Sequence, residues 1–447
     1  MKRKITLKGI ALALLLSASF ISNAQEQPRS FGKYPLEPNK YGIVRCASYE
    51  NELILQQNNP KRATEVQFEA WMQEKLKELR EKRKQKSGNT IMTIPVVVHV
   101  VYNTSVQNIS DEQVQSQIDV LNEDYRMMAG TPGFDDSGLG VDTQIEFCLA
   151  KVDMEGNATD GIDRLFTTTT QFTTRQSVED FKSFTIWDPT QYFNIWTVNW
   201  GGELSNLLGY SQFPSESGLQ GLADYGGDDF TDGVVISYKN FGSANKVDSN
   251  VFQWPYQYGR TATHEIGHAL GLRHIWGDDD NCQGNDYCAD TPVANAATQG
   301  CPLGQDSCPQ VGLDMIQNYM DYSNDECMHI FTQNQLDRML VVLQNSPRRA
   351  SLLTSTVCGV ASTPDLQLLQ GTKVYPNPAQ NVLNIKVENG DLPDNYAIYN
   401  SIGQTVANVK VTTEANLTVD TSAYSNGIYF IKIDKGNESK TIKFIKN

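Results

Sequence analysis

The stretch THEIGHALGLRHIWG, Thr263 to Gly277, confines three of the chain's five histidines to positions 264 to 274. On an α-helix His264 and His268 lie one above the other on the same face. Gly271 follows where such a helix would end, and glycine takes the left-handed conformation that turns the chain, so His274 can fold back toward the first two. Three neutral imidazoles facing one point suit a zinc ion at about 2.0–2.1 Å from each nitrogen, with a fourth position open to water. Glu265 is placed to take a proton from that water rather than to bind the metal. A lone histidine on an apolar helix face is usually a satisfied core residue, and HExxH recurs by chance. HExxHxxGxxH is far more restrictive. The other two histidines, His99 and His329, have no partner at ligand spacing and read as core or surface.

The rest of the chain sets this motif in an exported protein of several parts. The opening, MKRKITLKGIALALLLSASFISNAQ, has a basic start, an apolar run and small residues ending at Ala24, which is the pattern of a signal peptide over residues 1–24. Its apolar run is shorter than the roughly 20 residues a bilayer requires, and no later segment is long and apolar enough to span one. Export permits disulfides, and five of the eight cysteines, Cys282, Cys288, Cys301, Cys308 and Cys327, follow the histidines closely. The formal charge of −15 is unevenly spread: residues 25–88 carry 13 Lys and Arg against 9 Asp and Glu, and residues 89–372 carry 12 against 36, a net of −24. So acidic a body repels nucleic acid and anionic membranes, and favours calcium and basic substrates.

Residues 25–88 read as a prosegment. EVQFEAWMQEKLKELREKR, Glu65 to Arg83, has apolar residues near helical spacing, and KQKSGN then breaks the pattern. Arg80, Lys82, Arg83, Lys84 and Lys86 offer places to cut it. From residue 89 the texture changes. MTIPVVVHVVYN, IEFCLAKV, FNIWTVNW and DGVVISY read as strands. Ser110 to Gln113, and Thr332 with Gln335, are capping boxes that start helices, and a zinc helix is expected from about Gly259 to Leu270. Strands alternating with helices predict an α/β (α+β) domain over 89–360. A linker over 361–372 then leads to a small all-β module over 373–447 with short alternating strands, no cysteine and no histidine.

Asn194 to Trp200 with Leu208-Gly209-Tyr210, His264 to His274, Asp290-Thr291-Pro292 and Asn318-Tyr319-Met320-Asp321-Tyr322 together resemble the pappalysin family of metzincins, over about Ile91 to Leu343. The resemblance implies a zinc endopeptidase fold with a zinc helix and a Met-turn. Met320 would form the apolar base under the metal, and Tyr322 would steady the oxyanion as the scissile carbonyl becomes tetrahedral. Asp325 would line the pocket for the side chain just after the scissile bond and select Arg or Lys, as a partly desolvated carboxylate can. By the same resemblance Cys282 pairs with Cys308 and Cys301 with Cys327. Cys288 is left over, with Cys148 as a speculative partner. Asp286, Asp290 and Thr291 match positions that bind calcium, whereas the neighbouring Asp278-Asp279-Asp280 run reads as a solvated loop.

Cys46, the prosegment's one cysteine, has two readings: a cysteine switch whose thiolate fills the open zinc position, or a disulfide to Cys358 or another odd cysteine. The tail, with VYPNPAQNVLNI, IYNSIGQ and NGIYFIKI, resembles the type A C-terminal sorting domain of type IX secretion. That implies passage through the periplasm to the cell surface or medium, with the secretion machinery as partner. The expectation is a secreted zinc endopeptidase made as a zymogen, acting on protein or peptide substrates on the amino side of Arg or Lys. Its rivals are a non-catalytic zinc-bearing adhesin and a peptidase with apolar preference.

Overall fold

The computed structural model describes residues 29–83, 91–214, 229–279, 281–359, 372–387, 392–400, 403–435 and 438–447. The expected signal peptide, the linker but for its last residue, and the candidate cut sites Lys84 and Lys86 lie outside them.

The expected prosegment contributes a short hairpin of β1 (Ser30–Phe31) and β2 (Tyr34–Pro35), then helices α1 (Ser48–Asn58) and α2 (Glu65–Arg83). Helix α2 has the bounds expected from its apolar spacing, and buries Phe68, Trp71, Met72, Leu76 and Leu79.

Next comes β3 (Met92–Tyr102), whose β-branched run makes it the centre of a six-stranded sheet. The other elements up to the zinc helix are α3 (Asp111–Tyr125), β4 (Ile145–Leu149), β5 (Ile162–Phe166), α4 (Arg175–Thr185), β6 (Phe193–Val198), β7 (Gly209–Ser211) and β8 (Val234–Ser237). Strands β4 and β5 run parallel to successive halves of β3 along one edge, while β6 and β8 extend the sheet in parallel on the other. Strand β7 alone is antiparallel and closes the sheet. Because side chains alternate across a strand, Val234 and Ile236 enter the core beneath α3 and the zinc helix, and Val235 faces the opposite core beside Trp196 and Tyr210.

Helix α5 (Arg260–Ala269) is wholly buried. Gly259 starts it at φ 86°, a left-handed value that glycine holds without strain, and Gly271 at φ 88° ends its final turn. Behind it come α6 (Gln333–Asn345), opened by the complete Thr332–Gln335 capping box, and α7 (Pro347–Leu352). No described helix is long and apolar enough to cross a membrane.

The tail is all β, as expected. One sheet joins β9 (Lys373–Tyr375), β10 (Val382–Lys386) and β13 (Thr418–Asp420). The other joins β11 (Asn395–Asn400), β12 (Thr405–Lys410), β14 (Gly427–Lys435) and β15 (Glu438–Lys446). Leu383, Ile398, Ile431, Ile433 and Phe444 fill their core.

Candidate active site

The one-face argument for His264 and His268 holds on α5, and the turn at Gly271 returns His274 to them. The Nε2 atoms converge, with that of His268 3.1 Å from those of both His264 and His274. Each Nδ1 is engaged elsewhere: His264 with the Tyr319 carbonyl at 2.7 Å, His268 with the Leu272 carbonyl at 2.9 Å, and His274 with the Asp278 carboxylate. A carbonyl only accepts, so the proton of His264 and of His268 sits on Nδ1, and their Nε2 lone pairs face the common point. Burial, and the neighbouring imidazoles, push the pKa of His264 and His268 well below the ordinary value, so both are neutral. Converging lone pairs without a proton between them are a donor set for a cation, and imidazole nitrogen suits zinc.

Cys46 completes the group. Its sulfur and the three histidine nitrogens lie within 4.8 Å of one another, the one such cluster of three or more metal-capable groups among the described residues. Of the two readings of Cys46 the disulfide is excluded: it is a free, buried thiol. Burial and nearby Glu265 push its pKa well above the usual thiol range, so a thiolate here requires a cation beside it.

Glu265 is fully buried, and burial raises its pKa to about 7. One carboxylate oxygen accepts from the Ser48 hydroxyl at 2.6 Å and lies 3.3 Å from the Cys46 sulfur; the other has no hydrogen-bond partner. Met320 is buried, and its sulfur fills the space a Cβ on Gly267 would need, 2.5 Å from that position. The Tyr322 ring lies 5.7 Å from His264 and 4.9 Å from His274, and burial keeps its phenol protonated far above the usual range.

Asp325 is 2% exposed. One of its oxygens accepts from the Tyr258 amide at 2.8 Å. The other lies 3.5 Å from the guanidinium of Arg45, the residue before Cys46. The guanidinium also sits over the Tyr256 ring at 4.6 Å and donates to the Thr261 hydroxyl at 2.6 Å. The prosegment reaches this point alongside the sheet edge: Val44 forms a parallel bridge with Leu207, and the Ala47 amide donates to the Gly209 carbonyl.

Three residues here escaped sequence reasoning. Arg45 and Ser48 flank Cys46, but no spacing rule ties them to positions more than 200 residues away. Asp278, read as part of a solvated loop, instead receives the His274 ring nitrogen, and is correspondingly only partly exposed. Its separation of four residues from His274 was the available signal.

The disulfides Cys282–Cys308 and Cys301–Cys327 are both present. The speculated Cys148–Cys288 bond is not: Cys148 joins Cys358, tying β4 to the end of the domain, and Cys288 is a free buried thiol. The three residues matched to calcium are engaged with protein hydrogen-bond partners. Thr291 donates to Asp286 at 2.7 Å, and Asp290 accepts from Thr332 at 2.7 Å and from the Asn334 amide at 2.8 Å at the start of α6. His99 is a core residue between Asp163 and Asn194, and His329 is half-buried beside Asp135.

With this geometry in view, residues 176–344 match the pregnancy-associated plasma protein-A family, and residues 373–447 match the secretion system C-terminal sorting domain. An extracellular metalloprotease of Arthroderma gypseum is 33% identical over 274 residues, 60% of this chain and 79% of the relative. The chain belongs to the pappalysin family. Among solved structures, a Tannerella forsythia promirolysin mutant is 40% identical, covering 63% of this chain and 91% of that one, with a TM-score of 0.52. Mature mirolysin of the same organism, in complex with a cleaved peptide, is 43% identical over 60% of this chain and 97% of that one, also with a TM-score of 0.52. This pappalysin is therefore a secreted zinc metalloendopeptidase made as a zymogen, and its sorting domain directs it to the cell surface or the extracellular space.

Proposed function

We propose that this peptidase cuts on the amino side of Arg, and less efficiently Lys, and that Arg45 and Cys46 hold it latent. Zinc, held by His264, His268 and His274, would supply Lewis-acid polarisation of the scissile carbonyl. Glu265 takes the proton of the attacking water and passes it to the leaving amine. Its carboxylate is next to the first histidine, and once Ser48 and Cys46 leave it both oxygens are free for that transfer. Tyr322, kept protonated by burial, donates to the developing oxyanion. Met320 fills the base of the site beneath α5, and the Met-turn carbonyl of Tyr319 orients His264.

The observation that carries the preference is the Arg45 guanidinium against the buried Asp325 carboxylate, one residue from the thiol at the histidines. A buried carboxylate whose second oxygen has no hydrogen-bond partner is matched by an arginine side chain. Latency then follows from occupancy, because Arg45 fills the specificity pocket while the Cys46 sulfur takes the coordination position left open by the three histidines. Arg80, Lys82 and Arg83 lie in helix α2, and Arg80 and Arg83 pair with Asp337, so Lys84 and Lys86 become the favoured processing sites. The domain limits proposed are those of the sequence: prosegment 25–88, catalytic domain 89–360, linker 361–372 and sorting module 373–447. Calcium at Asp286, Asp290 and Thr291 belongs to the same reading. Burial pushes Asp286 to about 7, and a cation there would relieve that cost.

The test is digestion of a diverse peptide mixture by wild type and Glu265→Ala, with and without a zinc chelator, reading cut sites by mass spectrometry. Chelator-sensitive cuts before Arg and Lys, absent in the variant, are expected. Cuts before apolar residues would discard the role given to Asp325.

A further inference from the structure

Beyond the cleft, the prosegment has a second seat. Glu69 on α2 is 5% exposed and accepts from both terminal nitrogens of Arg338, each at 2.7 Å, and from Arg273 Nε at 3.1 Å. Four residues earlier, Glu65 lies 3.4 Å from Arg273 and accepts from the Tyr287 hydroxyl at 2.9 Å. Beside these pairs Phe68, Trp71, Met72, Leu76 and Leu79 cover Val341 and Val342 of α6. Every carboxylate paired with Arg273 or Arg338 among the described residues comes from α2. Their guanidiniums sit 5.8 and 5.7 Å from the Tyr287 ring, in a body with 12 basic residues against 36 acidic ones.

Removing the prosegment takes away the carboxylates directly paired with two arginines, next to an uncovered apolar strip. Arg338 is held in place without α2, since it also donates to the Gly271 carbonyl at 3.1 Å, and the Arg273 guanidinium keeps the rings of Phe213 and Tyr287, each at 5.8 Å. The mature enzyme thus retains a formed surface with the imprint of an acidic amphipathic helix. Its position relative to the cleft is also fixed. From the Asp325 pocket at Arg45 the prosegment passes the histidines at Cys46, then Ser211 at Asn51 and the Phe213 carbonyl at Arg62, before reaching Arg273 and Arg338 at Glu69. The histidines therefore stand between the pocket and the helix seat.

We propose that this vacated surface is a substrate-docking site. It takes an amphipathic helix with two acidic residues four positions apart, on the amino-terminal side of the scissile bond. The inference rests on the proposed prosegment removal and on Asp325 receiving the residue after that bond. The second acidic residue meets Arg338 bidentately and shares Arg273 with the first, and the apolar stripe three to four residues on covers Val341 and Val342. A peptide lacking the helix is still a substrate, because the seat lies outside the cleft.

The segment Ala63 to Glu74, ATEVQFEAWMQE, carries the acidic pair and three of the apolar residues, and contains no Lys or Arg to be cut. Processed full-length enzyme, freed of its prosegment, is first assayed on a short Arg reporter; no cleavage there sinks the peptidase reading, not this one. The same reporter is then preceded by this segment through about 20 Gly and Ser residues, a reach comparable to the path from Cys46 to Glu69. The expected result is a kcat/KM at least about tenfold higher, carried by KM with kcat unchanged. The gain should vanish when Glu65 and Glu69 of the segment are both changed to Lys, or when its sequence is scrambled. Free segment should abolish the gain and leave the short reporter untouched. Equal kcat/KM for the native, Lys-substituted and scrambled segments overturns the proposal, as does inhibition of the short reporter by free segment, which would put the helix in the cleft.

Discussion

The prosegment and the segment from Asp278 to Cys327 both bear on the same three histidines, yet they are fastened in different ways. The prosegment is fastened without a covalent bond, by the apolar stripe of α2 and by charge: Arg45 to Asp325, Glu69 to Arg338 and Arg273, and Arg80 and Arg83 to Asp337. The later segment is held by covalent sulfur and apolar contact, with two disulfides and the Met320 sulfur under Gly267, and it orients two imidazoles through the Tyr319 carbonyl and the Asp278 carboxylate. Ion pairs that open to solvent are rehydrated, so a segment held by them can leave once cut. A segment closed by disulfides constrains even the unfolded chain and stays. The difference separates what must be removed for activity from what must never move.

The comparison breaks most visibly at Glu265. Glu265→Ala should lower kcat by about 10³-fold or more without disturbing the histidines, and on expression it should remain full length, because self-processing stops. Gel mobility and a reporter assay on the same preparation check both. A variant that matures normally would assign processing to another enzyme. On the permanent side, Cys301→Ser with Cys327→Ser removes a bond that closes a separation of 26 residues, worth about 3.5 kcal/mol by chain entropy. Thermal unfolding should fall by several degrees in latent and mature forms alike. A loss confined to the latent form would mean that this bond serves the prosegment.

Asp325→Ala sharpens the other side. Cleavage before Arg should fall by about 100-fold, and the preference for Arg over apolar residues should flatten; a preserved Arg preference would remove Asp325 from the pocket. Arg45→Ala is the companion variant, and is expected to raise the residual activity of the uncut zymogen by about tenfold, read with a short peptide before any processing is visible. Asp232 offers a pH test that leaves the cleft alone. Burial would raise its carboxyl, but Arg349 and Arg348 overcome that and hold it well below the usual range. A depressed folded pKa stabilises above the unfolded value near 4 and is lost as pH falls through the folded one. Asp232→Asn should therefore cost stability at neutral pH and flatten the acid limb of a stability curve.

What the sequence disclosed follows from how local each constraint is. The zinc helix, α2 and the Thr332 capping box were legible because their periodicity and caps lie within a few residues. The convergence of the three imidazoles was legible because a helix and one glycine turn fix their geometry. Arg45, Ser48 and Glu69 were not, since their partners Asp325, Glu265 and Arg338 are brought to them only by the fold. The Cys148–Cys358 bond, which spans 210 residues, was hidden for the same reason, whereas the two clamps of 26 residues came from the family resemblance.

The smallest expected effect concerns what the Met-turn methionine contributes. Its sulfur is directed at the space under Gly267, so its part in the permanent half of the site is to fill volume beneath α5. Met320→Leu nearly conserves that volume and should cost less than about 1.5 kcal/mol of stability, with kcat/KM within a few-fold of wild type. Gly267→Ala should cost more, because its Cβ would fall 2.5 Å from the sulfur and the fully buried Met320 side chain must shift within the core to admit it. If Met320→Leu instead weakened zinc retention tenfold at unchanged thermal stability, the sulfur would be acting on the metal site electronically, and the division between a chemical half and a packing half of this site would not hold.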